Sequence, residues 1–141
     1  AGIAFSNAMV GLVHALGHAT GGVCHLPHGL CMSLYLPYAL EYNKSVNGAR
    51  IGELLLPLAG AQGYASTPPA QRADVAIDFR RLRDHLHAKT QLPRTLQETG
   101  KVRRDQLDEI ADRALNDGSI IYNPKEADLG QLRAILDKAW G

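Results

Sequence analysis

Apolar positions recur at helical spacing along nearly the whole chain, and no stretch alternates apolar and polar residues long enough to argue for a strand. Ser6 is placed to cap a first helix running through Ala19, with the Gly21-Gly22 pair as its stop. A second apolar helix is expected from His28 to Tyr42. Pro37 should bend it, since proline removes a backbone donor and crowds the preceding turn, and Asn43 is placed to close it. Ile51, Leu54, Leu55 and Leu58 then mark one buried face, and Gly60 and Gly63 open a loop. Thr67-Pro68-Pro69 reads as the start of a helix that carries Val75, Phe79, Leu82 and Leu86 and ends near Thr90. Asp105 to Asn116 turns Leu107, Ile110, Ala111, Ala114 and Leu115 inward, with Gly118 as the stop. The last helix is expected to begin at Asn123-Pro124-Lys125-Glu126, with Asn123 as cap, and to carry Leu129, Leu132, Ile135 and Leu136 towards Trp140. The pattern predicts an all-α helical bundle. The connections near 60–69 and 91–104 are too short to require a boundary, so 1–141 reads as one domain.

The distribution of charge sharpens this picture. The 15 Lys+Arg and 14 Asp+Glu nearly cancel, which excludes a strongly basic nucleic-acid surface, and 45% hydrophobic residues exclude disorder. Yet residues 1–40 contain no Asp, Glu, Lys or Arg. A membrane span would need about 18 or more consecutive apolar residues, and His14, His18, His25, His28, Pro27 and six glycines interrupt this stretch. Helices buried on most sides, as at the centre of a larger protein or a domain interface, explain it better. The chain also opens without Met, directly in apolar sequence, as expected for a piece of a longer protein. Arg80, Arg81, Arg83 and Lys89, with His85 and His87, are interleaved with Asp78 and Asp84 and read as a solvated helix face. Two cysteines, Cys24 and Cys31, cannot build a disulfide framework. They read as small buried residues, and with no secretory signal the expected compartment is the cytoplasm.

Four of the six histidines fall between His14 and His28, where an even spread puts about 0.6. His14 and His18 are four apart, hence on one helix face, together with Asn7 and Gly11. Buried imidazoles need hydrogen-bond partners or a ligand, and a divalent metal is an economical partner. Pro27-His28-Gly29 can bring a third imidazole back to the first helix. Ordinary core histidines remain the competing reading. His14-Ala15-Leu16-Gly17-His18 lacks the glutamate of a zincin helix, and any carboxylate ligand must come from later helices or from outside the chain. No glycine-rich phosphate loop is present, and Gly17 to Gly22 follows no strand, so a nucleotide would bind elsewhere.

The run Gly11-Leu12-Val13-His14-Ala15-Leu16-Gly17-His18, then Leu26-Pro27-His28-Gly29, Leu36-Pro37 and Glu41-Tyr42-Asn43, resembles the iron-containing (group III) alcohol dehydrogenases. Ala1 to Ala8 also fits the entry to that family's motif helix, and Asn123-Pro124 fits its last helix less specifically. The resemblance implies the C-terminal helical domain of a dehydroquinate synthase-like architecture. It implies that His14 and His28 are metal ligands, and that His18 is a catalytic pocket or proton-transfer residue near the metal and the nicotinamide. Phe5 would line the substrate pocket. The ion would be Fe2+, with Zn2+ as the other candidate, completed by upstream ligands, and NAD or NADP would be held mainly by an upstream nucleotide-binding domain. The implied reaction is hydride transfer between an alcohol or aldehyde and NAD(P), in a homo-oligomer, with the chain alone inactive. Two alternatives stand beside it: a metal-independent, maleylacetate reductase-like member of the superfamily, and a non-catalytic helical metal-binding module.

Overall fold

The computed structural model describes residues 2–78 and 80–141. Among the described residues there is no strand, and eight α-helices follow one another: α1 Gly2–Ala8, α2 Leu12–Cys24, α3 His28–Glu53, α4 Leu55–Ser66, α5 Arg72–Ile77, α6 Arg80–Thr90, α7 Leu107–Leu115 and α8 Leu129–Trp140. The all-α class expected from the periodicity is what forms. No helix among the described residues is long and apolar enough to cross a membrane.

α2 lies at the centre. It packs against α3 and α7 and touches the short 3-10 segment Gly118–Tyr122, while α8 covers α7 and α3. Leu12, Ala15, Leu16 and Ala19 of α2 join Leu34 and Tyr35 of α3, Leu107, Ile110, Ala111 and Ala114 of α7, and Leu132 and Leu136 of α8 in one core. Each buried leucine or isoleucine there contributes roughly 1.5–3 kcal/mol, which outweighs the weak helix propensity of a segment holding three glycines. A smaller core of Ile51, Leu55, Ala73 and Ala76 joins the end of α3 to α4 and α5.

Several expected boundaries move. The first helix is two helices. Met9 takes a left-handed backbone conformation (φ 56) after α1, and α2 begins at Leu12 and runs through Gly21 and Gly22 to Cys24. Ser6 caps nothing; its hydroxyl donates to the Gly2 carbonyl one turn back. Pro37 is accommodated inside α3, which breaks instead at Asn47 and continues past Asn43 to Glu53. That break and the turn at Leu54 shift the phase of the apolar stripe, so Ile51 and Leu55 are buried while Leu54 and Leu58 are exposed. Gly60 does interrupt the backbone (φ 73), but the helix resumes through Gly63 to Ser66.

The helix expected from Thr67 to Thr90 starts as a 3-10 turn at Pro69 and divides at Asp78 into α5 and α6. Ala73 and Ala76 supply its buried face, whereas Val75 and Leu86 are exposed. The parts expected of Phe79 and Leu82, and of Arg80, Arg81 and Arg83, lie outside what the structure describes. His85 and Lys89 are exposed as a solvated face requires, but His87 is buried. α7 ends before Asn116, and Gly118 opens the 3-10 segment. Leu115, expected inside, is exposed. The last helix starts five residues later than expected, at Leu129 after the cap Asp128, because Asp128 and Gln131 form a reciprocal capping box there. Asn123 is engaged elsewhere.

Candidate metal and substrate site

The loop between α2 and α3 is only three residues long. His25 adopts the left-handed conformation (φ 54) that ends α2, its amide donating to the Gly21 carbonyl, and buried Leu26 anchors the turn. Pro27 precedes the first residue of α3, so His28 is folded straight back onto α2. The result is a triangle of imidazoles. Ring centres are 5.3 Å apart for His14 and His28, 5.6 Å for His14 and His18, and 5.6 Å for His18 and His28, the last pair nearly stacked. The third imidazole expected from the Pro27-His28-Gly29 loop arrives where that expectation placed it. His25 stays exposed at the edge.

What holds the triangle is buried behind it. Thr20 uses its only hydroxyl hydrogen on the Leu16 carbonyl at 2.8 Å, so in the 2.6 Å contact between Tyr35 Oη and Thr20 Oγ1 the tyrosine donates. Burial pushes the Tyr35 hydroxyl well above its ordinary pKa, keeping it a donor. This link fastens α2 to α3 on the face opposite the histidines. Gly17 brings the helices close: a methyl group there would collide with the end of Met32 and press on Cys31.

Two later groups fix α2 from the other side, and local sequence patterns revealed neither role. Asp117 Oδ2 lies 3.0 Å from His18 Nδ1. Asn123 Oδ1 accepts from the Leu12 amide at 3.2 Å and from Asn43 at 2.9 Å, while its own amide donates to Asn43 and to the Lys125 carbonyl. Asn123 thus caps α2, a helix 111 residues earlier, and not the last helix. Only its type, a residue suited to capping, was visible beforehand.

The surroundings of His14 favour its neutral form. Burial, then the neighbouring His18 and His28, lower the pKa of His14, while Asp117 opposes the shift. Neutral imidazole is the form that ligates a metal. At Asp117 burial acts to raise the carboxyl pKa, but hydrogen bonds from the Ser119 hydroxyl and amide and the contact with His18 prevail and hold it below the ordinary value. Among the described residues, no three His, Cys, Asp or Glu side chains are grouped to hold an ion by themselves. Imidazole nitrogen suits a divalent ion, so the triangle could contribute to a ligand set only together with donors from elsewhere. Cys24 and Cys31 are buried free thiols within the core.

Beside His14 runs a largely apolar groove of about 640 Å³ between the α1–α2 junction and α3, with Met9, Val13, Met32, Leu36 and Tyr122 on its walls. Phe5 is not among its lining residues; it stands on α1 with 54% of its surface exposed. α1 as a whole departs from the burial expected of the charge-free stretch, with Ile3 85% exposed. Among the residues whose burial is described, the buried ones begin at Leu12, beyond the left-handed turn at Met9.

The sequence pattern of the Fe-containing alcohol dehydrogenase family, C-terminal part, matches residues 1–140. The chain is 31% identical over 140 residues to an NADPH-dependent butanol dehydrogenase of Clostridium saccharobutylicum, covering 97% of this chain and 34% of that protein. It is 34% identical over 142 residues to alcohol dehydrogenase 4 of Saccharomyces cerevisiae, covering 99% of this chain and 34% of that protein. The solved structure of an alcohol dehydrogenase from Oenococcus oeni superposes with a TM-score of 0.85 at 30% identity, over 99% of this chain and 35% of that one. The chain spans about a third of the length of these relatives. With a match that runs through every histidine of the triangle, the chain belongs to the Fe-containing alcohol dehydrogenase family, in the part that the family's C-terminal pattern describes.

Proposed function

We propose that this chain is the metal- and substrate-binding part of an NAD(P)-dependent alcohol dehydrogenase, moving hydride between a small alcohol or aldehyde and the nicotinamide. The observation that carries this reading is the convergence of His14, His18 and His28 at one end of an apolar groove, within the stretch 1–40 that holds no formal charge. Relatives named for butanol, 1,3-propanediol and lactaldehyde support a small alcohol or aldehyde as substrate. Residues 1–141 form the C-terminal helical domain, and an upstream nucleotide-binding domain of the same protein holds NAD or NADP. The working protein is a homo-oligomer in the cytoplasm.

In this reading His14 and His28 hold Fe2+, or Zn2+ in its place, through neutral ring nitrogens, and upstream residues complete the ligand set. The bound ion supplies a Lewis acid for the substrate oxygen. The chain's own side chains do the rest. His18 hydrogen-bonds the reacting hydroxyl and carries its proton at a ring nitrogen. Met9, Val13, Met32 and Leu36 exclude water, which strengthens every charge interaction at the site and keeps hydride from being lost. Phe5, which stands outside this groove on exposed α1, is assigned to the substrate pocket of the whole protein by the family resemblance alone.

Calorimetric titration of Fe(II) and Zn(II) into the chain alone, and into the chain joined to its upstream nucleotide-binding domain, tests the reading. Tight binding is expected only in the joined protein, weakened by more than about 100-fold in His14→Ala and in His28→Ala. NAD(P)-linked oxidation of a small primary alcohol should then stop on chelation. Turnover indifferent to chelators would instead identify a metal-independent reductase. Tight, histidine-dependent binding by the chain alone would identify a free-standing metal module.

A further inference from the structure

We propose that Asp117 is the positioning residue of His18, selecting which ring nitrogen carries the hydrogen. The Asp117 carboxylate sets the contact. It accepts only, so the 3.0 Å contact with His18 Nδ1 requires that Nδ1 donate, and of the two neutral tautomers this selects the one whose Nε2 is an acceptor. The carboxylate is itself aimed. Its other oxygen, Oδ1, accepts from the Ser119 amide at 2.8 Å, the Ser119 hydroxyl also donates to the carboxylate, and the Asp117 carbonyl accepts from the Ile120 amide at 3.0 Å, which together hold Oδ2 towards His18. The segment carrying it is fastened at its far end by Asn123, on the Leu12 amide and on Asn43. One short stretch, 117–123, therefore grips α2 at both residue 12 and residue 18, on either side of His14. As an ion pair the contact merits little weight, with the His18 side chain 42% and that of Asp117 21% exposed, so what it contributes is the direction of a hydrogen bond.

The functional consequence rests on the dehydrogenase reading. An imidazole whose Nε2 is an acceptor can receive a hydrogen bond from a substrate hydroxyl; one whose Nε2 bears hydrogen cannot. Asp117 touches no reacting atom in this scheme and acts only through His18.

The isosteric Asp117→Asn variant gives a specific test. The Ser119 amide continues to need an acceptor, so the asparagine carbonyl takes the Oδ1 place and its NH2 takes the place of Oδ2. A donor then faces Nδ1, and the hydrogen must move to Nε2. Long-range proton–nitrogen NMR of the histidine rings, recorded on the 141-residue chain without metal, reads this directly. His18 should carry hydrogen on Nδ1 in the native chain and on Nε2 in D117N, with the amide spectrum otherwise preserved. In the joined, metal-loaded protein D117N should lower kcat about 10–100-fold with little change in the KM for nucleotide. A native chain with hydrogen on Nε2, or a D117N chain with unchanged tautomer, would overturn the proposal, and the first needs no variant to fold. Failure of the joined protein to bind metal or oxidise alcohols would refute the dehydrogenase reading and leave the tautomer result standing.

Discussion

Cys24 and Cys31 bracket His25 and His28 in the sequence, as soft ligands to a metal would, yet both thiols are turned into the core. Burial pushes the Cys31 thiol up to about 11 and raises that of Cys24 as well. A raised pKa leaves the neutral, unreactive thiol dominant throughout the physiological range. At about pH 8 neither cysteine should react with a disulfide reagent in the folded chain, and both should react at once on unfolding. Labelling of the folded chain as fast as the denatured one would show the core to be open. The histidines, by contrast, were legible as a cluster because their signal is local: an i, i+4 pair and a short loop. Asp117 was not, since it meets His18 across 99 residues and nothing in Leu115-Asn116-Asp117-Gly118 marks a carboxylate with such a task.

The elements show the same division between local and distant causes. Positions set by repeated apolar spacing, such as the inward faces of α7 and α8, emerge almost as the sequence predicts. Ends set by a single residue do not. The Gly21-Gly22 pair is a plausible stop, but α2 buries Cys24 by continuing, and the left-handed turn is left to His25. Asn123-Pro124 has the form of a helix start, but the Leu12 amide and Asn43 claim the asparagine side chain first. That competition makes a prediction at this scale. Asn123→Ala removes the acceptor of a first-turn amide and one side of the Asn43 pair, and should cost about 1–3 kcal/mol. Urea unfolding would measure the loss, and hydrogen exchange should quicken at Leu12 before it quickens in α7 or α8. Unchanged exchange at Leu12 would mean that the contact holds nothing.

For the molecule as a whole, the absence of charge from residues 1–40 predicted burial, and half of that prediction holds. α2 is buried; α1 carries Ile3 and Phe5 on its surface. Composition reports that a surface avoids water, but not which body covers it. The chain alone should self-associate through this helix, with a sedimentation mass that climbs with concentration and falls back to that of a monomer when Ile3→Ser and Phe5→Ser are combined. A monomer at all concentrations would contradict this. The segment 117–123 adds a consequence in time. During synthesis His14 and His18 emerge about a hundred residues ahead of the groups that grip their helix, with His28 close behind them. Until that segment docks, the histidines have a helix but no aim. A chain cut short before Asp117 would keep all three imidazoles and lose both grips on α2, so a nonsense mutation far from the motif should silence the centre as surely as one within it.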